Sequence, residues 1–437
     1  MSNIVILGAG MAGLGASYHF KENGFDCLIF EKENYPGGKA ASFKKDGFVF
    51  DDGPHISFTK DERIQGLFAE SIKNNYETLQ VGVNNYWKGH WIKHPAQVNL
   101  FGLPNDLVVE IINEIIEAKN IPNPKINNFK EWLVSSFGLT FSKTFPMKYG
   151  LKFHTTQADN MSTDWIGPRV YQPNIKEVLH GALSDETKDV HYVTHFRYPK
   201  KGGFQSYLKA FKKSSNYKLN HNLVELDSER KSLTFENGLK YNYDYLVSSL
   251  PLPELISIIK EVPKEVFEAS NKLACSTCVT VNLGIDRSNI SKTHWSYFYD
   301  DDVIFTRLSY PHMQSVNNVP DGCGSIQVEI YFSKKYKPLK NNPNEYVNQA
   351  ISDLIKCGLL TKKDKILFKE ARIIEYANII FDLDRKNNLK IVHKYLDKIG
   401  IKYCGRYGEW GYLWTDESFK SGENAAIKTI KEINNNL

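Results

Sequence analysis

The chain opens on a short apolar block, Ile4-Val5-Ile6-Leu7, with strand chemistry and no polar interruption. Gly8-Ala9-Gly10-Met11-Ala12-Gly13 follows at once. A helical stretch leads from there to a second apolar run, Cys27-Leu28-Ile29-Phe30, ending in Glu31. This pattern predicts strand, glycine turn, helix, strand. Further along, Tyr243 to Ser249 predicts a strand running into a turn at Pro251, and Tyr217 to Phe235 is strand-rich. Residues 270–335 alternate as antiparallel strands do, as in Ser325-Ile326-Gln327-Val328-Glu329-Ile330-Tyr331. Residues 86–195 read as helical and aromatic. Within them, Leu107, Val108, Ile111, Ile112, Ile115 and Ile116 form one apolar side, which predicts a packed amphipathic helix. Gly405 to Trp410 predicts a strand and glycine turn, continued through Asp416 into a final helix over Ser421-Gly422-Glu423-Asn424-Ala425-Ala426. No internal repeat is visible. The arrangement predicts a discontinuous dinucleotide domain (1–85, 198–265 and 370–437) interleaved with a substrate domain (86–197 and 266–369).

The glycines give the first block its chemistry. Gly8 permits the tight turn, Gly10 a close approach of backbone to a pyrophosphate, and Gly13 close packing of helix on strand. The pyrophosphate would rest on the helix N-terminus, where free N–H groups and the dipole favour an anion. Met11 and Ala12 would border it. Glu31, 23 residues after Gly8, would accept from a ribose. Lys32 and the Gly37-Gly38-Lys39 run follow, and a glycine pair so soon after the ribose acid is not needed for NAD. It resembles the second motif of flavin oxidases of the glutathione-reductase fold, whose FAD site is closed by a segment like Gly405, Arg406, Trp410, Tyr412 and Asp416. The expected fold is therefore α/β: a Rossmann-like FAD domain with an α+β substrate domain built from a helical insertion and an antiparallel sheet. The expected cofactor is FAD.

A chain of 437 residues suits two domains, and its net charge of +5 fits an anionic small molecule without implying nucleic acid. No apolar run reaches the roughly 20 residues that span a bilayer. The first strand starts at residue 4, so no signal peptide is expected and the location expected is cytoplasmic. Cys275-Ser276-Thr277-Cys278 is a lone CxxC on a strand-like segment, where positions three apart face opposite sides. It lacks the second pair that zinc would want. His90/His94 and His191/His195 share helical spacing but have no third ligand, so no metal is expected.

The motifs together resemble the UDP-galactopyranose mutases, within the protoporphyrinogen-oxidase and amine-oxidase-like flavoproteins. Asp52-Gly53-Pro54-His55-Ile56-Ser57-Phe58-Thr59 looks like their loop over the flavin. Gly89 to Pro95, Asn128 to Trp132, Phe145 to Phe153 and Met161 to Arg169 look like stretches of their substrate region, and Gly405 to Tyr412 like their terminal motif. The resemblance implies that Gly53, Pro54 and His55 face the flavin, that Tyr149 stacks on uracil, and that Phe153 stands where the family has tryptophan. Trp165 belongs to the same substrate wall. Arg169 matches a diphosphate arginine, with Arg307 and Arg372 competing for a second, and Tyr376 stands in for one of a missing tyrosine pair. Phe58 replaces a second family histidine. The chemistry implied is ring-size isomerisation of a UDP-sugar with reduced flavin as nucleophile and no net redox, serving surface polysaccharide synthesis, in a chain that could form a homodimer. The alternative is an FAD oxidoreductase of amine-oxidase, protoporphyrinogen-oxidase or desaturase type that removes a hydride.

Overall fold

The computed structural model describes residues 2–435. Ile4–Leu7 is a fully buried strand at the centre of a five-stranded parallel sheet. Such sheets are covered on both faces, which is why this block carries no polar position. In spatial order the strands are Lys402–Tyr403, Tyr245–Ser248, Ile4–Leu7, Cys27–Phe30 and Tyr217–Lys218. Segments far apart in sequence thus flank the first strand. The helix Met11–Glu22 and the C-terminal helix Thr415–Asn435 pack together beside it. They approach so closely that a Cβ on Gly15 would lie 2.4 Å from the Phe419 carbonyl oxygen, and one on Gly422 1.9 Å from that of Ala12. A three-stranded antiparallel sheet, Leu223–Asp227, Ser232–Phe235 and Lys240–Asn242, shares a core with Val5, Leu7 and Phe30.

The second large sheet has seven strands in the order Ile366–Ile374, Ser276–Ile285, Gly324–Ser333, Arg307–Ser309, Trp295–Phe298, Val83–Trp87 and His90–Lys93. It is antiparallel except where Val83–Trp87 runs parallel to Trp295–Phe298. Gly324–Ser333 alternates in sequence yet is buried on both faces. The polar residues of its second face meet partners rather than water: the Gln327 amide donates to the Asp51 carbonyl at 2.8 Å, and Glu329 accepts from Arg307. Beside this sheet the helices Asn105–Lys119, Phe129–Phe137, Leu139–Thr144, Pro146–His154 and Ile175–Leu183 form a layer with its own core around Ile111, Ile115, Leu133 and Phe141. The amphipathic stripe packs as a helix, although Ile116 stays exposed. The expected boundaries at 85/86 and 369/370 fall inside the strands Val83–Trp87 and Ile366–Ile374. Local pattern marks a strand, and only its partner shows which sheet it joins.

Candidate active site

Three glycine turns meet at the N-terminus of the helix Met11–Glu22. Gly8 has φ +92°, and a Cβ on Gly13 would stand 1.9 Å from the Gly8 carbonyl oxygen, so helix and turn are in direct contact. A Cβ on Gly38 would lie 2.9 Å from Gly10 Cα, and one on Gly405 2.7 Å from Ala12 Cβ. Gly10 is the residue that begins the helix, and no side chain caps this end, leaving backbone N–H groups for an anion. Buried Glu31 accepts from the Ala9 N–H at 2.7 Å and the Glu33 N–H at 3.0 Å, which holds its carboxylate at the mouth of the turn. Lys39 is half-buried, and burial lowers its pKa. Arg406 donates to the carbonyls of Leu413 (2.8 Å) and Ala377 (3.2 Å), joining the terminal motif to the strand region. A backbone cradle ringed by glycines, with an acid beside it, fits the diphosphate and ribose of FAD. Lys32 is exposed and stands 4.0 Å from Glu254, outside this ring.

The structure also holds a cleft of about 1250 Å³. Its walls come from the helix Pro146–His154, the Trp165–Arg169 turn, the seven-stranded sheet and the segment entering the last helix, where Asp416 and Glu417 stand. Tyr149 and Phe153 stack at 5.4 Å with planes 19° apart, as spacing of one helical turn allows. Arg169 is held by its own surroundings. Its Nη1 donates to the Trp165 carbonyl at 3.1 Å and its Nη2 to the Tyr412 carbonyl at 2.8 Å. The guanidinium lies 4.5 Å from the Tyr412 ring centre and 4.6 Å from that of Trp414. Among the described residues no carboxylate pairs with it, and its Nε has no partner. Arg307 is also in the wall, but Glu329 pairs with it through Nε (3.0 Å) and Nη2 (2.8 Å), and the Tyr331 hydroxyl donates to the same carboxylate. Burial raises the pKa of Tyr149, Tyr192 and Tyr297, so these phenols are protonated donors at neutral pH.

His55 is half-buried in the turn after Gly53 and is not part of the cleft wall. Burial pulls its pKa down to about 4, and the nearby charges of Arg406 and Arg307 act in the same direction. The ring is therefore neutral, and its Nδ1 lies 2.9 Å from the Gly53 carbonyl, which can only accept. The proton belongs on Nδ1, leaving Nε2 as an acceptor. Gly53 adopts φ +84°, which shapes the turn that Pro54 continues.

Three expected site residues lie elsewhere. Arg372 is outside the cleft wall: its strand directs it onto the Phe43 ring at 3.9 Å, with Asp52 at 3.8 Å. Tyr376, at φ +53°, turns its ring toward Tyr407 and Trp410 rather than into the cleft. Trp410 is fully buried core and presents no surface to a cofactor. Conversely, Tyr192, Tyr297, Tyr299 and Trp414 line the cleft without having been singled out from the sequence. The alternation Trp295-Ser-Tyr297-Phe-Tyr299 carried a signal for two of them. Cys275 and Cys278 are both free thiols, Cys278 within the strand Ser276–Ile285 and Cys275 just before it.

The sequence profile of the family described as flavin containing amine oxidoreductase matches residues 11–354. The chain belongs to this family. It is a flavoenzyme, and its cofactor is FAD. A crystal structure of reduced UDP-galactopyranose mutase superposes with a TM-score of 0.92 at 25% identity, over 99% of this chain and 96% of that one. Putrescine oxidase bound to putrescine shares the fold alone, with a TM-score of 0.66 and 15% identity over 98% of this chain and 99% of that one. Among curated relatives, the 1-hydroxycarotenoid 3,4-desaturase of Flavobacterium sp. (strain P99-3) is 32% identical over 141 residues, which is 31% of this chain and 26% of that protein. The 4,4'-diapophytoene desaturase of Staphylococcus aureus (strain Newman) is 33% identical over 104 residues, 24% and 20% of the two chains. This chain thus spans about a quarter or less of the length of these desaturases. Among the described residues, no helix is long and apolar enough to cross a membrane.

Proposed function

We propose that this flavoenzyme is a cytoplasmic nucleotide-sugar mutase interconverting pyranose and furanose forms of a UDP-sugar, in surface polysaccharide synthesis. The observation that carries the reading is Arg169, a guanidinium without a carboxylate partner, set between two rings in the cleft wall. A fixed, permanently charged fork suits a diphosphate leaving group, and an unneutralised charge is unfavourable in a site meant for an apolar substrate. The likeness in fold to UDP-galactopyranose mutase across nearly the whole chain supports the same reading.

The turns at Gly8–Gly13, Gly37–Gly38 and Gly405 would hold FAD, which in its reduced form would supply the nucleophile. Arg169 carries the larger share of the diphosphate charge, because Glu329 already offsets Arg307. Tyr149 and Phe153 offer a flat face to the base, and neutral His55 offers an acceptor toward the flavin. The discontinuous division into a cofactor and a substrate domain belongs to the same proposal, with the whole of Val83–Trp87 and Ile366–Ile374 assigned to the substrate sheet. Exposed Phe101, Leu179 and Leu183 on the helical layer suit a homodimer contact.

Calorimetric titration with UDP tests the role of Arg169. Arg169→Ala should weaken UDP binding by about tenfold or more, as loss of a charged hydrogen bond implies, while FAD content and affinity for uridine stay unchanged. UDP affinity that survives the substitution would remove the argument. The second reading, hydride removal by the flavin, draws on the aromatic lining, on Phe58 and on the kinship to desaturases. It expects substrate to bleach oxidised flavin.

A further inference from the structure

We propose that Asp51 is a positioning residue: its carboxylate fixes the loop 52–56, and with it His55, against Phe204. The inference rests on the reading above in placing this loop at the flavin. Asp51 ends the strand Phe48–Asp51 and is 4% exposed. Its Oδ1 accepts from the Ser42 hydroxyl at 2.6 Å and from the Phe204 N–H at 2.9 Å. Its Oδ2 accepts from the Tyr198 hydroxyl at 2.7 Å, which in turn accepts from the Asn318 amide at 3.4 Å. The backbone carbonyl of Asp51 accepts from Gln327. One residue therefore joins a hairpin, the strand His195–Pro199, the turn at Gly203-Phe204 and the seven-stranded sheet.

The loop begins at the next residue. Phe204, whose N–H the carboxylate holds, places its ring 5.2 Å from the His55 ring. The far end is tied separately: Ser57 and Arg197 exchange backbone hydrogen bonds at 3.1 and 2.7 Å. The turn leaves little room for adjustment, because a Cβ on Gly203 would lie 2.3 Å from Ser42 Oγ and 2.8 Å from Asp51 Oδ1. Burial pushes the Asp51 carboxyl up to about 6 against the pull of its three donors. All three bonds use it as an acceptor, which is the ionised form's role. The carboxylate is buried, so water does not compete for these bonds.

The test uses FAD-loaded enzyme and hydrogen–deuterium exchange followed by mass spectrometry. Asp51→Asn keeps the shape and removes the charge. Exchange in residues 52–57 should rise about tenfold or more while Ser276–Ile285 and Gly324–Ser333 stay protected, since losing a charged acceptor weakens a local clamp by that order. With the substrate used for turnover, kcat should fall with KM unchanged. Tyr198→Phe, which removes one donor and keeps the ring, should move both readouts less in the same direction, and it carries the test if Asp51→Asn does not fold. Unchanged exchange in 52–57, or a rise spread evenly over both sheets, would overturn the proposal. Exchange needs no turnover, so failure of the mutase reading leaves this result readable.

Discussion

Arg169 and His55 show how surroundings decide what a side chain does. Arg169 is oriented by two backbone carbonyls, which fix the fork without neutralising it. Arg307 stands in the same cleft but shares its charge with Glu329. His55 is deprived of charge by burial, so it should not titrate near the ordinary histidine value. An NMR titration of His55 should show a midpoint about 4, and a midpoint near 6.5 would contradict the neutral role given to it. Both residues could be singled out in the sequence because each belongs to a recognisable local motif. The choice between Arg307 and Arg372 was not. Both lie on strands, where the face a side chain takes depends on register, and register is set by partners distant in the chain. Tyr376 and Trp410 misled for a related reason: each has a left-handed backbone, φ +53° and +50°, that redirects its neighbours in a way composition does not reveal.

Secondary elements meet here at glycines, and that is where single substitutions should act most strongly. Gly13→Ala would press a methyl group into the Gly8 carbonyl, and Gly422→Ala would do the same against Ala12. Each should lower stability by at least about 2 kcal/mol, as overpacking of backbone on backbone does. Gly13→Ala should also release FAD, which absorbance at the flavin band would report. Gly24→Ala, a control facing open space, should keep FAD and differ only by the strain of its φ of +77°. The strand–turn–helix unit was readable because the contact that defines it, Gly13 against the Gly8 carbonyl, is local. The seven-stranded sheet was readable only in pieces. Ser325 to Tyr331 announced a strand, but nothing near Val83–Trp87 revealed that it would run parallel to Trp295–Phe298 some two hundred residues later. Alternation also implied a wet face that the fold covers, since Gln327 and Glu329 are both buried.

The whole molecule carries several histidines held neutral by burial, and this sets its response to acid. Burial lowers His154 to about 3 and His294 to about 4, and both are almost wholly inaccessible. In the unfolded chain they take up a proton near 6.5. The folded state gains relative stability from them only above that value, and loses it as pH falls toward their folded values. Each accounts for up to roughly 3 kcal/mol over this window. Chemical unfolding should therefore show stability declining steadily from pH 6.5 to 4, and His154→Gln should flatten the slope. A stability profile level across that range would contradict the burial assigned to them. At this scale the sequence conveyed a flavoprotein of mixed α/β fold, because the glycine motifs stand where distant segments meet. It did not convey the shape of the cleft, which depends on aromatic residues contributed by segments far apart in the chain. Flavin action without net loss of electrons can be read by adding UDP-galactopyranose under nitrogen to oxidised and to dithionite-reduced enzyme, following flavin absorbance and product together. A mutase should give many turnovers to the furanose by enzyme that stays reduced, and no bleaching of the oxidised form. Bleaching of oxidised flavin by substrate, or no isomer from the reduced enzyme, would contradict it.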